Sequence, residues 1–78
     1  MFHKIENVQP LADYSVMVRF AGGTVKIYDL KPLMEEIPAL RDPSFYRSVK
    51  ADTGGYGIVW NNDADLSSEE LFENGKTV

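Results

Sequence analysis

Residues 13–30 read DYSVMVRFAGGTVKIYDL, and this stretch gives the clearest indication of the fold class. Every second residue from Tyr14 to Phe20 is apolar, which is the period-two pattern of a half-buried strand. The pattern resumes after the glycines, where Val25 and Ile27 alternate with their neighbours. Two such segments around a glycine pair predict an antiparallel hairpin.

The glycine pair also predicts how the two strands align. A two-residue turn at Gly22–Gly23 places both residues at positive φ, which glycine tolerates. That turn sets Phe20 opposite Val25 and Val18 opposite Ile27, so the large apolar side chains share one face. A three-residue loop shifts the pairing by one residue and mixes polar with apolar side chains. We therefore expect the two-residue turn.

Shorter elements surround this hairpin. Residues 2–11, FHKIENVQPL, supply an earlier strand that is out of strict alternation. Three prolines limit the middle of the chain to short helical turns. We expect one turn over residues 32–36 and another over residues 43–48, the second capped by Asp42 with proline at its first position.

A second hairpin follows, with VKAD at residues 49–52 and YGIVW at residues 56–60. Its register stays open, because Ala51 opposite either Tyr56 or Ile58 keeps the apolar faces together. Trp60 ends this strand, and we expect it to be partly buried with its N–H bonded to a nearby acceptor.

The last segment, NNDADLSSEELFENG at residues 61–75, predicts a turn and then a capped helix. Ser67 and Glu70 have the spacing of a capping box, and Asn74–Gly75 is a natural stop. Acidic side chains near a helix start also suit its dipole, so they have a structural role before any functional one. We expect one α+β domain spanning residues 1–78, with an antiparallel sheet of about four to five strands and two or three short helices, the last near the C-terminus.

Composition narrows the functional classes. A chain of 78 residues with 44% hydrophobic content fits one small globular domain. It has no cysteine, which excludes disulfides, thiolate metal sites and thiol nucleophiles. With no signal-like start and no long apolar run, we expect a cytoplasmic protein that does not enter a membrane. A net charge of −4 disfavours direct nucleic-acid binding.

Motifs for chemistry are weak. Asn61, Asp63 and Asp65 have the one-three-five spacing of a calcium loop, but Leu66 and Phe72 stand where glycine and glutamate are required. The glycine-rich stretches lack the phosphate-loop pattern. We expect no catalytic residues, no metal and no cofactor.

The remaining side chains with functional potential have ordinary structural explanations. His3 is the single histidine, so a multi-histidine metal site is excluded, and we expect an exposed strand residue. The aromatic residues Trp60, Tyr56, Tyr28 and Phe20 lack the positive groove of a base-stacking platform, so core or a protein interface explains them better.

Three segments together resemble a known family: VRFAGGTVKIYDL, LRDPSFYRSVKAD and YGIVWNNDADLSSEELFENG. The chain is similar, from about residue 8 to residue 75, to a family of small bacterial proteins known as the domain of unknown function numbered twenty-four forty-two. The resemblance implies a small α+β domain with no established activity and no catalytic residues to carry over. It also implies that stand-alone members occur beside a second small gene, an arrangement suggestive of a two-gene module.

Our first hypothesis is a non-enzymatic module that binds another, basic, protein, as in the neutralising half of a toxin–antitoxin-like pair. The alternatives are an acidic decoy inhibitor of a nucleic-acid-binding effector, and a small ligand-binding domain or enzyme. Oligomeric state stays open. The expected interaction residues are two aromatic anchors and the carboxylates of the C-terminal segment: Tyr28, Trp60, Asp63, Asp65, Glu69, Glu70 and Glu73.

Overall fold

A computed structural model describes residues 2–61 and 64–78, which form seven strands, two α-helices and three short 3-10 turns. The strands are β1 (Ile5–Leu11), β2 (Ser15–Phe20), β3 (Val25–Asp29), β4 (Lys50–Ala51), β5 (Gly57–Trp60), β6 (Ala64–Ser67) and β7 (Lys76–Thr77). The helices are α1 (Pro43–Tyr46) and α2 (Ser68–Asn74). The 3-10 turns cover Ala12–Tyr14, Lys31–Glu35 and Pro38–Arg41.

The strands form two antiparallel sheets, which confirms the α+β class. One sheet has four strands in the order β1-β2-β3-β7, and the other has three in the order β4-β5-β6. Two of these strands were not predicted. Residues 64–67, expected as a turn, form β6 on β5, and residues 76–77 form β7 on the edge of β3.

The predicted register of the first hairpin is wrong. Both glycines have positive φ, at 97° for Gly22 and 100° for Gly23. However, the loop has three residues, and Val18 lies opposite Lys26 rather than Ile27. The backbone N–H of Phe20 accordingly donates to the carbonyl of Thr24 at 2.8 Å.

The physical reason lies in the inward side chains of β3. This register turns Tyr28, which is 9% exposed, towards the core. Lys26 shares that face without burying its charge, because its Nζ lies 4.9 Å from the centre of the Phe72 ring and donates to Thr77 Oγ1 at 2.8 Å. A large aromatic ring plus an amphipathic lysine stem therefore fills the inner face, and Ile27 lies on the outer face.

The second hairpin adopts one of its two open registers, with Ala51 opposite Ile58. The Asp52 side chain organises the loop, since its Oδ1 accepts from the backbone N–H groups of Gly54 at 2.9 Å and Tyr56 at 3.1 Å. This double acceptance is an Asx-type device that fixes a tight loop. The position of Tyr56 therefore follows from the Asp52 side chain.

The short helices begin where the sequence predicts. Asp42 Oδ1 accepts from the backbone N–H of Ser44 at 3.0 Å, and Pro43 occupies the first position of α1. Ser67 Oγ accepts from the backbone N–H of Glu70 at 3.1 Å, and α2 ends at Asn74 before Gly75. Both predicted N-caps are confirmed. The reciprocal bond of the predicted capping box does not form, since the Glu70 carboxylate accepts from the Tyr28 hydroxyl instead.

A core of buried apolar residues lies between the sheets, closed by α1, α2 and the 3-10 turns. It comprises Ile5, Val16, Val18, Phe20, Tyr28, Leu30, Leu40, Tyr46, Val49, Ile58, Trp60 and Leu71. The molecule measures only 18 Å along its shortest axis. That thickness fits two packed layers and leaves the outer faces and loops as the places for function.

Candidate protein-interaction surface

Trp60 belongs to the core. Its side chain is completely buried, at 0% exposure, so the expectation of partial burial is wrong. Its Nε1–H donates to the carbonyl of Tyr46 at 3.0 Å, which confirms the expected bond. The Tyr46 hydroxyl in turn donates to the carbonyl of Leu11. Trp60 thus connects β5 to α1, and its ring offers no surface to a partner in this conformation.

Tyr28 and Glu70 meet, although 42 residues separate them in sequence. The Tyr28 hydroxyl donates to Glu70 Oε2 at 2.8 Å, which ties β3 to the first turn of α2. Burial, followed by this hydrogen bond to a carboxylate, raises the pKa of Tyr28 from 10.0 to about 12. Both side chains are therefore engaged with each other, which gives them a structural role.

Three of the expected carboxylates lie on the surface. Asp65 on β6 and Glu69 and Glu73 on α2 are all exposed. Glu69 and Glu73 are four residues apart, so they lie on the same side of the helix. Within residues 2–61 and 64–78, none of the three forms an ion pair. Asp63 lies outside the described residues.

An exposed aromatic pair at this end of the molecule was not predicted. Phe2 is 52% exposed and Tyr56 is 66% exposed, and their ring centres are 4.9 Å apart. Only one other large hydrophobic residue of the described chain, Val78, is comparably exposed. The available signal was position: Tyr56 follows Gly54–Gly55 in a loop rather than standing within a strand.

The aromatic pair borders an open groove at the start of α2. The groove has a volume of about 330 Å³ and is lined by Phe2, Tyr56, Ser67, Ser68 and Glu69. We call these five residues the aromatic groove. It combines apolar rings, two serines and one carboxylate, a mixture typical of a recognition surface rather than of the core.

The backbone holds Tyr56 in place on both sides. Its N–H is bonded to Asp52 Oδ1, and its carbonyl accepts from the N–H of Ser68 at 2.8 Å. The second of these bonds joins the loop to the start of α2. The Tyr56 ring therefore projects from a backbone that is hydrogen-bonded on both sides.

A second groove, of about 350 Å³, is lined by Asp13, Ser15, Ile27, Asp29, Lys31, Asn74 and Lys76. Two of its four charged side chains, Asp29 and Lys31, pair with each other. Asp29 Oδ1 accepts from the backbone N–H of Lys31 at 3.0 Å and lies 3.2 Å from its Nζ. The backbone bond, followed by the ammonium, lowers the pKa of Asp29. Such a paired, exposed carboxylate is poorly suited to act as a base.

The buried polar side chains of the described interior are paired. Across residues 2–61 and 64–78, every buried polar side-chain atom has a hydrogen-bond partner, and no three acidic or histidine side chains gather as metal ligands. In the same residues no helix has the length and apolar character required to cross a membrane.

His3 was expected to be an exposed strand residue, and this expectation is wrong. Its ring stacks on Phe72 with the ring centres 3.5 Å apart, it is half-buried, and it precedes the first residue of β1.

Comparison with known proteins assigns the family. No curated protein and no solved structure matches the chain. A family described as "Protein of unknown function (DUF2442)" matches residues 5–77, which is nearly the whole sequence. That span contains both sheets and both helices. The chain therefore belongs to the DUF2442 family of proteins of unknown function.

Proposed function

We propose that this protein is a non-enzymatic interaction module that binds a partner protein through the aromatic groove and the neighbouring carboxylates of α2. One observation carries the proposal: the exposed Phe2 and Tyr56 rings, whose centres are 4.9 Å apart, border a groove that also contains Glu69. Exposed aromatic rings beside polar groups are typical of residues that dominate binding energy at protein interfaces.

The anchor role expected for Trp60 and Tyr28 passes to Tyr56 and Phe2 in this proposal. Trp60 and Tyr28 are buried and hydrogen-bonded within the domain. The exposed carboxylates Asp65, Glu69 and Glu73 keep the roles expected for them, as the acidic part of the surface. Glu70 leaves the binding set, because its carboxylate accepts from Tyr28.

A basic partner suits this surface. The chain carries 12 acidic and 8 basic residues, so its field attracts positively charged proteins and repels phosphate backbones. The family resemblance adds a specific candidate to examine, the product of a neighbouring small gene in a two-gene module. A role as the neutralising member of such a pair is the finer form of the proposal.

The test is affinity capture from the source organism with matched charge variants. The first variant, Asp65→Lys/Glu69→Lys/Glu73→Lys, reverses the carboxylates beside the groove. The control, Glu6→Lys/Glu35→Lys/Glu36→Lys, makes the same charge change at exposed positions on other elements. Circular dichroism verifies that both variants fold.

We expect one partner to be captured by the wild type and the control and lost with the first variant. The purified partner must then bind in a two-component titration. If both variants lose the partner to the same extent, the binding is non-specific charge attraction and does not depend on this surface. If the partner is a nucleic-acid-binding protein and DNA competes for its site, the protein is instead an acidic decoy.

A further inference from the structure

We propose that the aromatic groove binds an extended partner segment through an arginine, whose guanidinium stacks on the Tyr56 ring and pairs with Glu69. This inference rests on the proposed function and names the chemistry of its partner. It follows from three properties of the groove: exposed rings, a fixed backbone and a carboxylate on one wall.

The rings provide the stacking surface. Tyr56 is 66% exposed although its neighbour Phe2 contacts it with an interplanar angle of 32°. The pair therefore leaves aromatic surface open to solvent. A planar cation binds such a surface because the ring attracts its charge and because stacking displaces water from the ring.

The groove suits a single side chain and the backbone that carries it. Its volume of about 330 Å³ lies at the small end of ligand pockets, which span about 300–1,000 Å³. Ser67 Oγ already accepts from the backbone N–H of Glu70. Glu69 is the one charged residue among the five that line the groove. One cationic side chain satisfies both the ring and the carboxylate.

Charge identifies the occupant as a cation. Glu69 lines the groove, and the exposed carboxylates Asp65 and Glu73 lie just before and just after Glu69 in the sequence. The positively charged Lys4 lies instead against Gly55, in the loop that carries Tyr56. The attraction for cations therefore comes from the α2 side of the groove, where a guanidinium can meet Glu69.

Arginine fits this combination better than lysine. A guanidinium is planar, so it stacks on a ring while its edge donates two parallel hydrogen bonds to a carboxylate. An ammonium is a compact, strongly hydrated charge that gains less from the ring. The groove accordingly predicts a preference between two residues of equal charge.

The preference is measurable without the natural partner. We would titrate the isotope-labelled protein with three Gly/Ser-spaced decapeptides that differ at two positions, carrying arginine, lysine or citrulline. Citrulline keeps the planar shape of arginine and lacks its charge. Nuclear magnetic resonance follows the backbone amides of Tyr56, Gly57 and residues 67–69.

We expect the arginine peptide to shift these amides and to bind at least about threefold more tightly than the lysine peptide. The citrulline peptide should not saturate the site. The variants Tyr56→Leu and Glu69→Gln should each weaken arginine binding about threefold to tenfold. Glu35→Gln, at an exposed position on another element, and Val78→Ser serve as matched controls, with the wild-type affinity.

Equal binding of arginine and lysine peptides, insensitive to Tyr56→Leu, would overturn the inference, as would shifts centred elsewhere. The two proposals fail separately. If a partner requires the α2 carboxylates but the arginine peptide does not bind in the groove, the proposed function stands and this inference is refuted. An arginine peptide that binds the groove while no partner depends on it supports this inference and refutes the proposed function.

Discussion

The Tyr28 hydroxyl donates a 2.8 Å hydrogen bond to Glu70, and this bond connects the middle of the four-stranded sheet to the start of α2. The wall of the aromatic groove that Ser67, Ser68 and Glu69 form is next to Glu70 in sequence. The pair therefore helps to position the surface proposed for binding, although neither side chain belongs to it.

Removing this hydrogen bond should lower stability modestly. We expect Tyr28→Phe to reduce the free energy of unfolding by about 1 kcal/mol, because it leaves the half-buried Glu70 carboxylate without its donor. Glu70→Gln retains an acceptor oxygen and should cost less. Urea denaturation measures both changes, and an unchanged midpoint in Tyr28→Phe would show that water replaces the bond without loss.

The same bond predicts a dependence of stability on alkaline pH. The pKa of Tyr28 is raised from 10.0 to about 12 in the folded chain, so its stabilising contribution is fully present below pH 10. As the pH rises through the interval from 10 to about 12, the unfolded chain loses this proton first and the contribution disappears. The stability difference between wild type and Tyr28→Phe should shrink across that interval, and a constant difference would contradict the assignment.

Trp60 should matter for stability and not directly for binding. Trp60→Phe removes a donor from the buried carbonyl of Tyr46 and leaves unfilled volume in the core, at a cost of about 2–3 kcal/mol. Thermal unfolding measures this loss. At a temperature where the variant is folded, its affinity for the partner should equal that of the wild type, and a large loss would return Trp60 to the binding surface.

The register set by the three-residue loop of the first hairpin predicts which pair of engineered cysteines can form a disulfide. Met17 lies directly opposite Ile27, and Phe20 and Thr24 are hydrogen-bonded, so Met17 and Ile27 form a non-hydrogen-bonded pair with Cα atoms about 4.5 Å apart. That separation suits a disulfide. Because the chain has no cysteine, Met17→Cys/Ile27→Cys should oxidise cleanly to one bond.

The control for this experiment is Val18→Cys/Ile27→Cys, which tests the two-residue turn. In the observed register those two side chains lie on opposite faces of the sheet, and the bond should not form. Mass spectrometry after mild oxidation distinguishes the two variants. Efficient bridging of the control, with none in Met17→Cys/Ile27→Cys, would mean that the register is the alternative one.

Local signals predicted much of this fold. The alternation in β2, the glycines of its loop and the caps at Asp42 and Ser67 each depend on neighbouring residues, and the structure contains all of them. The register of the first hairpin depends instead on Tyr28 reaching Glu70 and on Lys26 reaching Phe72. These contacts span more than forty residues, which pattern within a hairpin does not reveal.

Only part of the candidate surface could be predicted from the sequence, for the same reason. Exposed Asp65, Glu69 and Glu73 were predicted as interaction residues. The aromatic groove was missed because Phe2 and Tyr56 become neighbours only when β1 and the second hairpin fold together, with the N–H of Ile5 donating to the carbonyl of Gly55 at 2.9 Å. Sequence alone grouped Tyr56 with Trp60, Tyr28 and Phe20 and left core and protein interface open for all four.

In the proposed function, Tyr56 anchors a partner protein in the aromatic groove. The most direct measurement is calorimetric titration of the purified partner into wild type, Tyr56→Ser and Val78→Ser, since Val78 is the comparison residue exposed elsewhere at 76%. We predict at least about tenfold weaker binding for Tyr56→Ser, in line with losses at interface hot spots, and no change for Val78→Ser. Equal affinities for the wild type and Tyr56→Ser would contradict this role of Tyr56.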